Sequence, residues 1–269
     1  MDLTLITAMG TSFLTTLATK GADAPGNTLN LAWQYTFHGM DSYFKQGLIK
    51  KESAQKFQES ISNNLKEIPN ENIVEPRKSI LLNALDSAKN SLDEDSIRDM
   101  FAKLIASSMD ITKQPHLHPG FIEIIKQLSP TDANLLQSLK LKHALPIAHY
   151  STKTLDDGQV GLSDNFTYPL LIDYIQTTNS INNLMRFGLI EIPSFAVLTD
   201  ENKYSSFDNK ELKEHVLLIN GKLGQKAQID ADKNRSTLEN YDIFNDIDVN
   251  KGMIRLTAFG ESFLNICVS

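Results

Sequence analysis

The sequence predicts a mainly α-helical fold with a small β component: a helical region over 1–128, then a winged-helix-like region over 129–269 that carries a long polar insertion at about 199–252. Three observations predict it. Apolar residues recur three and four apart from Leu29 to Leu139, the period of a helix that buries one face. Prolines and capping residues punctuate that pattern at short intervals. Beyond Pro146 the order becomes helix, turn, helix, strand, polar excursion and strand, which is that of a winged-helix module with a two-stranded wing.

The first helices fall between Leu29 and Lys66, where Leu31, Tyr35, Phe37, Phe44, Leu48, Ile49, Phe57, Ile61 and Leu65 keep helical spacing and Gly39 and Gly47 are the expected interruptions. Pro69 breaks the pattern. Glu75-Pro76 reads as a helix start, because a first-turn proline sacrifices no intrahelical hydrogen bond. From Pro76 to Lys89, Ile80, Leu81, Ala84, Leu85 and Ala88 form one stripe. Ser91 three residues before Glu94 gives a capping-box pattern for the next helix, with Asp93, Glu94 and Asp95 suited to the positive end of its dipole. Its buried stripe is predicted to be Ile97, Phe101, Leu104, Ile105 and Ser108. His118-Pro119 opens a helix carrying Phe121, Ile122, Ile125 and Leu128, and Ser129-Pro130-Thr131-Asp132 caps another carrying Leu135, Leu136 and Leu139. None of these helices buries its stripe alone, so they are expected to pack together.

In the C-terminal half, the polar stretch Thr152 to Asp164 contains Asp156-Asp157-Gly158 and reads as a loop or hairpin. Pro169–Gln176 and Ser180–Phe187 read as two helices about a tight turn at Thr177-Thr178-Asn179, closed by Gly188 as a left-handed cap. Leu189–Ile192 and Met253–Thr257 read as the paired strands of the wing, with a helix near Asn209–Leu218 between them and a closing helix over Ala258–Val268.

Composition narrows the function. In 269 residues, 41% hydrophobic and 22% charged, a packed core is affordable and a wholly disordered chain is excluded. The net charge of -7 supplies no bulk positive field for nucleic acid or an acidic membrane. Residues 1–128 hold 13 Lys and Arg against 15 Asp and Glu, whereas 129–269 hold 13 against 18, so the half shaped like a DNA reader is the more acidic. A lone cysteine, Cys267, excludes an internal disulfide and suits a reducing, cytoplasmic setting. Ala22-Asp23-Ala24 mimics an export cleavage site, but Asp2 at the start and six interspersed Ser and Thr residues favour an ordinary N-terminal helix. No window is apolar enough to span a bilayer, so no membrane partner is expected.

On the predicted helix 180–187, Asn182, Asn183 and Arg186 face outward, and Asn and Arg are the side chains that read adenine and guanine edges. Lys251 and Arg255 on the last strand would clamp phosphate in that reading. The acidic balance favours a protein partner or self-association at the same residues. His116 and His118 are the only close pair of histidines and lack further ligands nearby, so His118 is read as a helix cap and no metal is expected. No Gly-x-Ser-x-Gly is present, and Gly221-Lys222-Leu223-Gly224 lacks the remainder of a phosphate loop. Catalytic residues therefore stay unassigned, and no cofactor is expected.

Several segments in order resemble the Abi-alpha family: Ile73-Val74-Glu75-Pro76, Asp95 to Asp110, His118 to Ala133 (HPGFIEIIKQLSPTDA), Asn183 to Ile190 and Leu256 to Cys267. Lys103, where the family pattern has asparagine, and the excursion 199–252 depart from it. The resemblance implies a bacterial cytosolic protein associated with abortive infection against bacteriophage, and carries over no catalytic residue. The expected role is a non-enzymatic sensor or effector working through protein contacts. The alternatives are a winged-helix DNA-binding regulator and a metal-dependent nuclease or nucleotide hydrolase.

Overall fold

The computed structural model describes residues 13–37, 50–153, 159–168, 173–220 and 247–268. Gly39, Gly47 and the turn Asp156-Asp157-Gly158 lie outside the described residues, as does Gly221-Lys222-Leu223-Gly224. The chain divides into two compact units, one of Met1–Gln137 with Ala258–Ser269, the other of Ser138–Thr257. The sequence reading set its join at 128/129, ahead of the Ser129-capped helix; the compact units divide within that helix, and the last helix belongs with the first unit.

The first unit is helical. It contains α1 (Asp23–Phe37), α2 (Lys51–Glu67), α3 (Lys78–Ala88), α4 (Asp95–Ser107), α5 (Gly120–Ile125), the start of α6 (Pro130–Lys142) and α9 (Ala258–Cys267). Helix α4 packs against α2, α3, α5 and α9. Its burial explains that place: the predicted stripe of Ile97, Phe101, Leu104 and Ile105 is inside, and so are Met100, Ala102 and Ala106. A helix apolar around most of its circumference must be surrounded. Ser107 Oγ donates to the carbonyl of Ile266 at 2.9 Å, which ties α4 to α9. The five predicted core residues of α3 are all buried. In α1, Trp33 stacks on Phe37 at 4.1 Å between ring centroids and meets Phe13 edge-on.

Two helix starts differ from the sequence reading. Helix α3 begins at Lys78, after an extended Arg77, so Pro76 precedes the first turn. The capping box before α4 does not form: Ser91 closes a 3-10 turn over Lys89–Ser91, its carbonyl accepts from the amide of Glu94, and Glu94 makes no side-chain cap. The reciprocal box appears at α6 instead, where Ser129 N donates to Asp132 Oδ2 at 2.8 Å and Asp132 N to Ser129 Oγ at 3.2 Å. His118 caps α5 as predicted, its Nδ1 accepting from the amide of Gly120 at 3.0 Å. A Cβ at Gly120 would lie 2.9 Å from that nitrogen, so the cap needs glycine there.

The second unit is built on an antiparallel sheet in the order β2-β1-β4-β3, with β1 at Ala144–Lys153, β2 at Gln159–Gly161, β3 at Ile190–Glu191 and β4 at Asp248–Leu256. The two-stranded wing is thereby corrected. Strand β4 pairs with β3 only at Ile190↔Leu256 and Glu191↔Arg255, but with β1 all the way from Ala144↔Arg255 to Ser151↔Asp248. Strand β1 was not predicted, since Pro146 and His149 interrupt its apolar run and its partner lies about a hundred residues away in the chain.

A second correction concerns the turn at 177–179. Helix α7 (Tyr174–Arg186) runs through it unbroken, because Thr177 and Thr178 are buried and continue a face formed by Tyr174, Ile181 and Leu184. Thr177 satisfies its hydroxyl locally by donating to the carbonyl of Tyr174 at 2.9 Å. Gly188, at φ 68°, ends α7 as predicted: its amide reaches Met185 O, and that of Leu189 reaches Leu184 O. The helix predicted near Asn209–Leu218 is α8 (Lys210–Ile219), capped by the Asn209 side chain.

The core of this unit is rich in aromatic rings, with Tyr150, Phe166, Tyr174, Tyr204 and Phe207 buried together. Tyr150 Oη donates to Phe207 O at 2.7 Å, and Tyr204 Oη to Gly252 O at 2.9 Å. These bonds fasten the 3-10 segment Glu201–Asp208 to the sheet.

Candidate functional site

Asn182, Asn183 and Arg186 lie on the last turns of α7, with Asn182 and Arg186 exposed. Lys251 and Arg255 lie four residues apart on β4 and therefore on one face of the sheet. Every cation of this set has an intramolecular partner. Arg186 Nη2 donates to Asn183 Oδ1 at 2.8 Å, and its guanidinium lies 4.4 Å from the ring centroid of Phe187. Lys251 pairs with Glu201 and stands 5.4 Å from the Tyr204 ring centroid. Arg255 grips Glu191 at 2.7 Å across the β3–β4 ladder. Such exposed pairs add little stability, about 0–1 kcal/mol each. The carboxylates of Glu201 and Glu191 lower the positive potential that Lys251 and Arg255 offer a phosphate, whereas Asn183 and Phe187 leave the charge of Arg186 in place.

The other sequence candidates take structural places. The His118 ring sits against Phe121 and Phe259, with centroids 5.9 and 5.7 Å away. Among the described residues no group of three or more His, Cys, Asp or Glu side chains is arranged to hold a metal. Cys267 is buried, and burial pushes its thiol well above the usual cysteine range, so it behaves as the small hydrophobe its apolar surroundings predicted. Lys103 lies 3.6 Å from Glu67 and lines a small cavity of about 190 Å³ with Asn64 and Asp110.

Sequence reasoning missed a cleft of about 540 Å³ within the second unit. One wall is the end of α6 and the start of β1, contributing Lys142, Ala144, Leu145 and Pro146. Thr167 and Tyr168 form a second wall, following the bridge between Ala148 and Phe166. The 3-10 segment supplies Asn202, Lys203 and Ser206. Helix α6 gives way to β1 at His143, whose left-handed φ of 61° is uncommon for a residue with a Cβ. Its amide still reaches Leu139 O at 2.7 Å, which closes the helix end. No local motif announces this cleft, because Lys142 and Lys203 meet only through the β1–β4 sheet and the tyrosines that hold the 3-10 segment to it.

The model of the abortive infection alpha family matches residues 49–267. The chain belongs to that family. The match begins upstream of Ile73, where the recognisable stretches start, and includes residues of both compact units. Membership in the abortive infection alpha family thus covers the exposed end of α7, the β3–β4 ladder and all the described lining of the cleft. No curated protein matches the chain. Among solved structures it is similar to an uncharacterized protein from the hydrocarbon-degrading marine bacterium Alcanivorax borkumensis SK2, at 11% identity and a TM-score of 0.29, covering 59% of this chain and 96% of that one. No helix among the described residues is long and apolar enough to cross a membrane.

Proposed function

We propose that this abortive infection alpha protein is a cytoplasmic component of defence against bacteriophage, acting as a non-enzymatic sensor or effector through contacts with protein partners or with copies of itself. The observation that carries the reading is the pairing of Lys251 with Glu201 and of Arg255 with Glu191, which sets a carboxylate against each strand cation a DNA reader would spend on phosphate. A net charge of -7 works in the same direction. In this reading 129–269 is a winged-helix-like contact region. Helix α7 contacts strand β3, which pairs with β4 at Ile190↔Leu256 and Glu191↔Arg255, and Asn182 and Arg186 lie on the exposed end of that helix.

Phage challenge of cells with and without the gene tests the role. Fewer plaques on at least part of a broad phage panel is the expected result, and identical plaque counts throughout would overturn it. Gel retardation at low salt separates the contact reading from a DNA regulator: the contact reading expects no shift, whereas a shift that weakens steeply with salt would replace it.

A further inference from the structure

The cleft between α6, β1 and the 3-10 segment differs in chemistry from the rest of the surface. Its described lining contains two lysines, Lys142 and Lys203, and no carboxylate, in a chain whose acids outnumber its bases 33 to 26. The acids nearest Lys203 in the chain are engaged elsewhere. Asp200 accepts from the amide of Asn202 at 3.1 Å, Glu201 holds Lys251, and Asp208 holds Lys213. Lys142 and Lys203 have no ion-pair partner among the described residues, unlike Lys251 and Arg255 on the same sheet. Three further polar side chains of the lining, Thr167, Asn202 and Ser206, make no hydrogen bond among the described residues, and Thr167 is only 4% exposed.

The remaining wall is apolar. Leu145 and Pro146 share the lining with Tyr168, a residue 38% exposed in a unit where Tyr150, Tyr174 and Tyr204 are buried. A flat aromatic face, two ammonium groups without an ion-pair partner among the described residues and a few hydroxyl and amide groups are what a phosphate attached to a planar ring requires. The cleft volume lies within the range of about 300–1,000 Å³ usual for small-molecule sites.

We propose that this cleft binds a nucleoside phosphate, with Lys142 and Lys203 on the phosphate oxygens and the base against Tyr168. The site does not depend on the defence role, and its test uses the purified full-length chain alone. Binding of a fluorescent-labelled adenosine triphosphate is followed by anisotropy, with unlabelled nucleotide and inorganic tripolyphosphate as competitors. The K142A/K203A double variant is expected to weaken binding by about tenfold or more, since both lost contacts are charge-assisted. Both lysines are exposed, so this variant is expected to keep the native circular dichroism spectrum and melting temperature. Tyr168→Ala is expected to weaken the nucleotide by several-fold while leaving the tripolyphosphate competition unchanged, and Tyr168→Phe to restore the nucleotide. Lys126→Ala, at a lysine paired with Glu123 on the other unit, is expected to leave binding unchanged. No binding at roughly 1 mM nucleotide would overturn the proposal. So would equal affinity in the double variant, or a tripolyphosphate affinity matching that of the nucleotide, which would leave an anion site without base recognition.

Discussion

The two compact units are held together in different ways. In the first, apolar stripes spaced three and four residues apart lock helices around α4, with the buried Ser107 hydroxyl bonding across to α9. In the second, the main joint is a strand pair that closes over about a hundred residues of chain, and buried tyrosine hydroxyls finish the core by bonding to backbone carbonyls. The difference teaches where each unit is vulnerable. The helical unit depends on volume, and the mixed unit on a few directed polar bonds as well as on its rings.

The largest expected effect is on the helical unit. Phe101→Ala empties a fully buried site in the central helix and should cost about 3–5 kcal/mol in denaturant unfolding, as large core truncations do. A cost below about 1 kcal/mol would show that α4 is not the hub of its unit. Tyr150→Phe keeps the ring and removes only the bond to Phe207 O, so the expected loss is about 1–3 kcal/mol, that of a buried carbonyl left without its donor. If that variant were as stable as the parent, the claim that polar bonds finish this unit would fail. Gly188→Ala places a Cβ at φ 68° and should cost about 1–2 kcal/mol from the left-handed strain alone, since no atom lies within 4 Å of the added carbon.

The smallest effects sharpen the comparison through pH. The hydrogen bond from Arg98, and then its charge, hold Asp95 in the first unit below the usual aspartate value of 3.8. Its contribution to stability is therefore complete above pH 3.8 and fades as pH falls through the folded-state value. Melting curves of Asp95→Asn should lie slightly below the parent near neutrality and converge with it in acid. In the second unit, burial, and then the nearby Asp208, push Tyr150 well above the usual tyrosine value of 10.0. Its contribution is present below pH 10.0 and is lost as pH rises toward the folded-state value. Ultraviolet titration should find one phenol that ionises only as the protein unfolds, and its loss in Tyr150→Phe assigns it.

Legibility in the sequence follows the same division. The stripes of α3, α4, α5 and α6 are visible because a helix writes its buried face within a dozen residues. The glycine cap of α7 and the Asn209 cap of α8 are equally local. Where two local signals compete, the reading goes astray. Ser91 fits a capping box but is spent in a 3-10 turn, and Thr177-Thr178 looks like a turn until burial shows them inside a continuous helix. Of the three residues read as outward-facing on this helix, Asn182 and Arg186 are exposed and Asn183 is half-buried, and the acids that engage Lys251 and Arg255 come from other segments.

By itself, the sequence determined most of the helical elements, the inward faces of α3 to α6 and the acidic balance of the chain, because each is set by neighbours within a turn or two of one another or by composition alone. Only the tertiary structure decided that β1 exists, that β4 lies between it and β3, and that Lys142 and Lys203 share one cleft. Those outcomes rest on pairings between distant segments, and a strand's hydrogen-bonding partner leaves no periodic trace in its own residues.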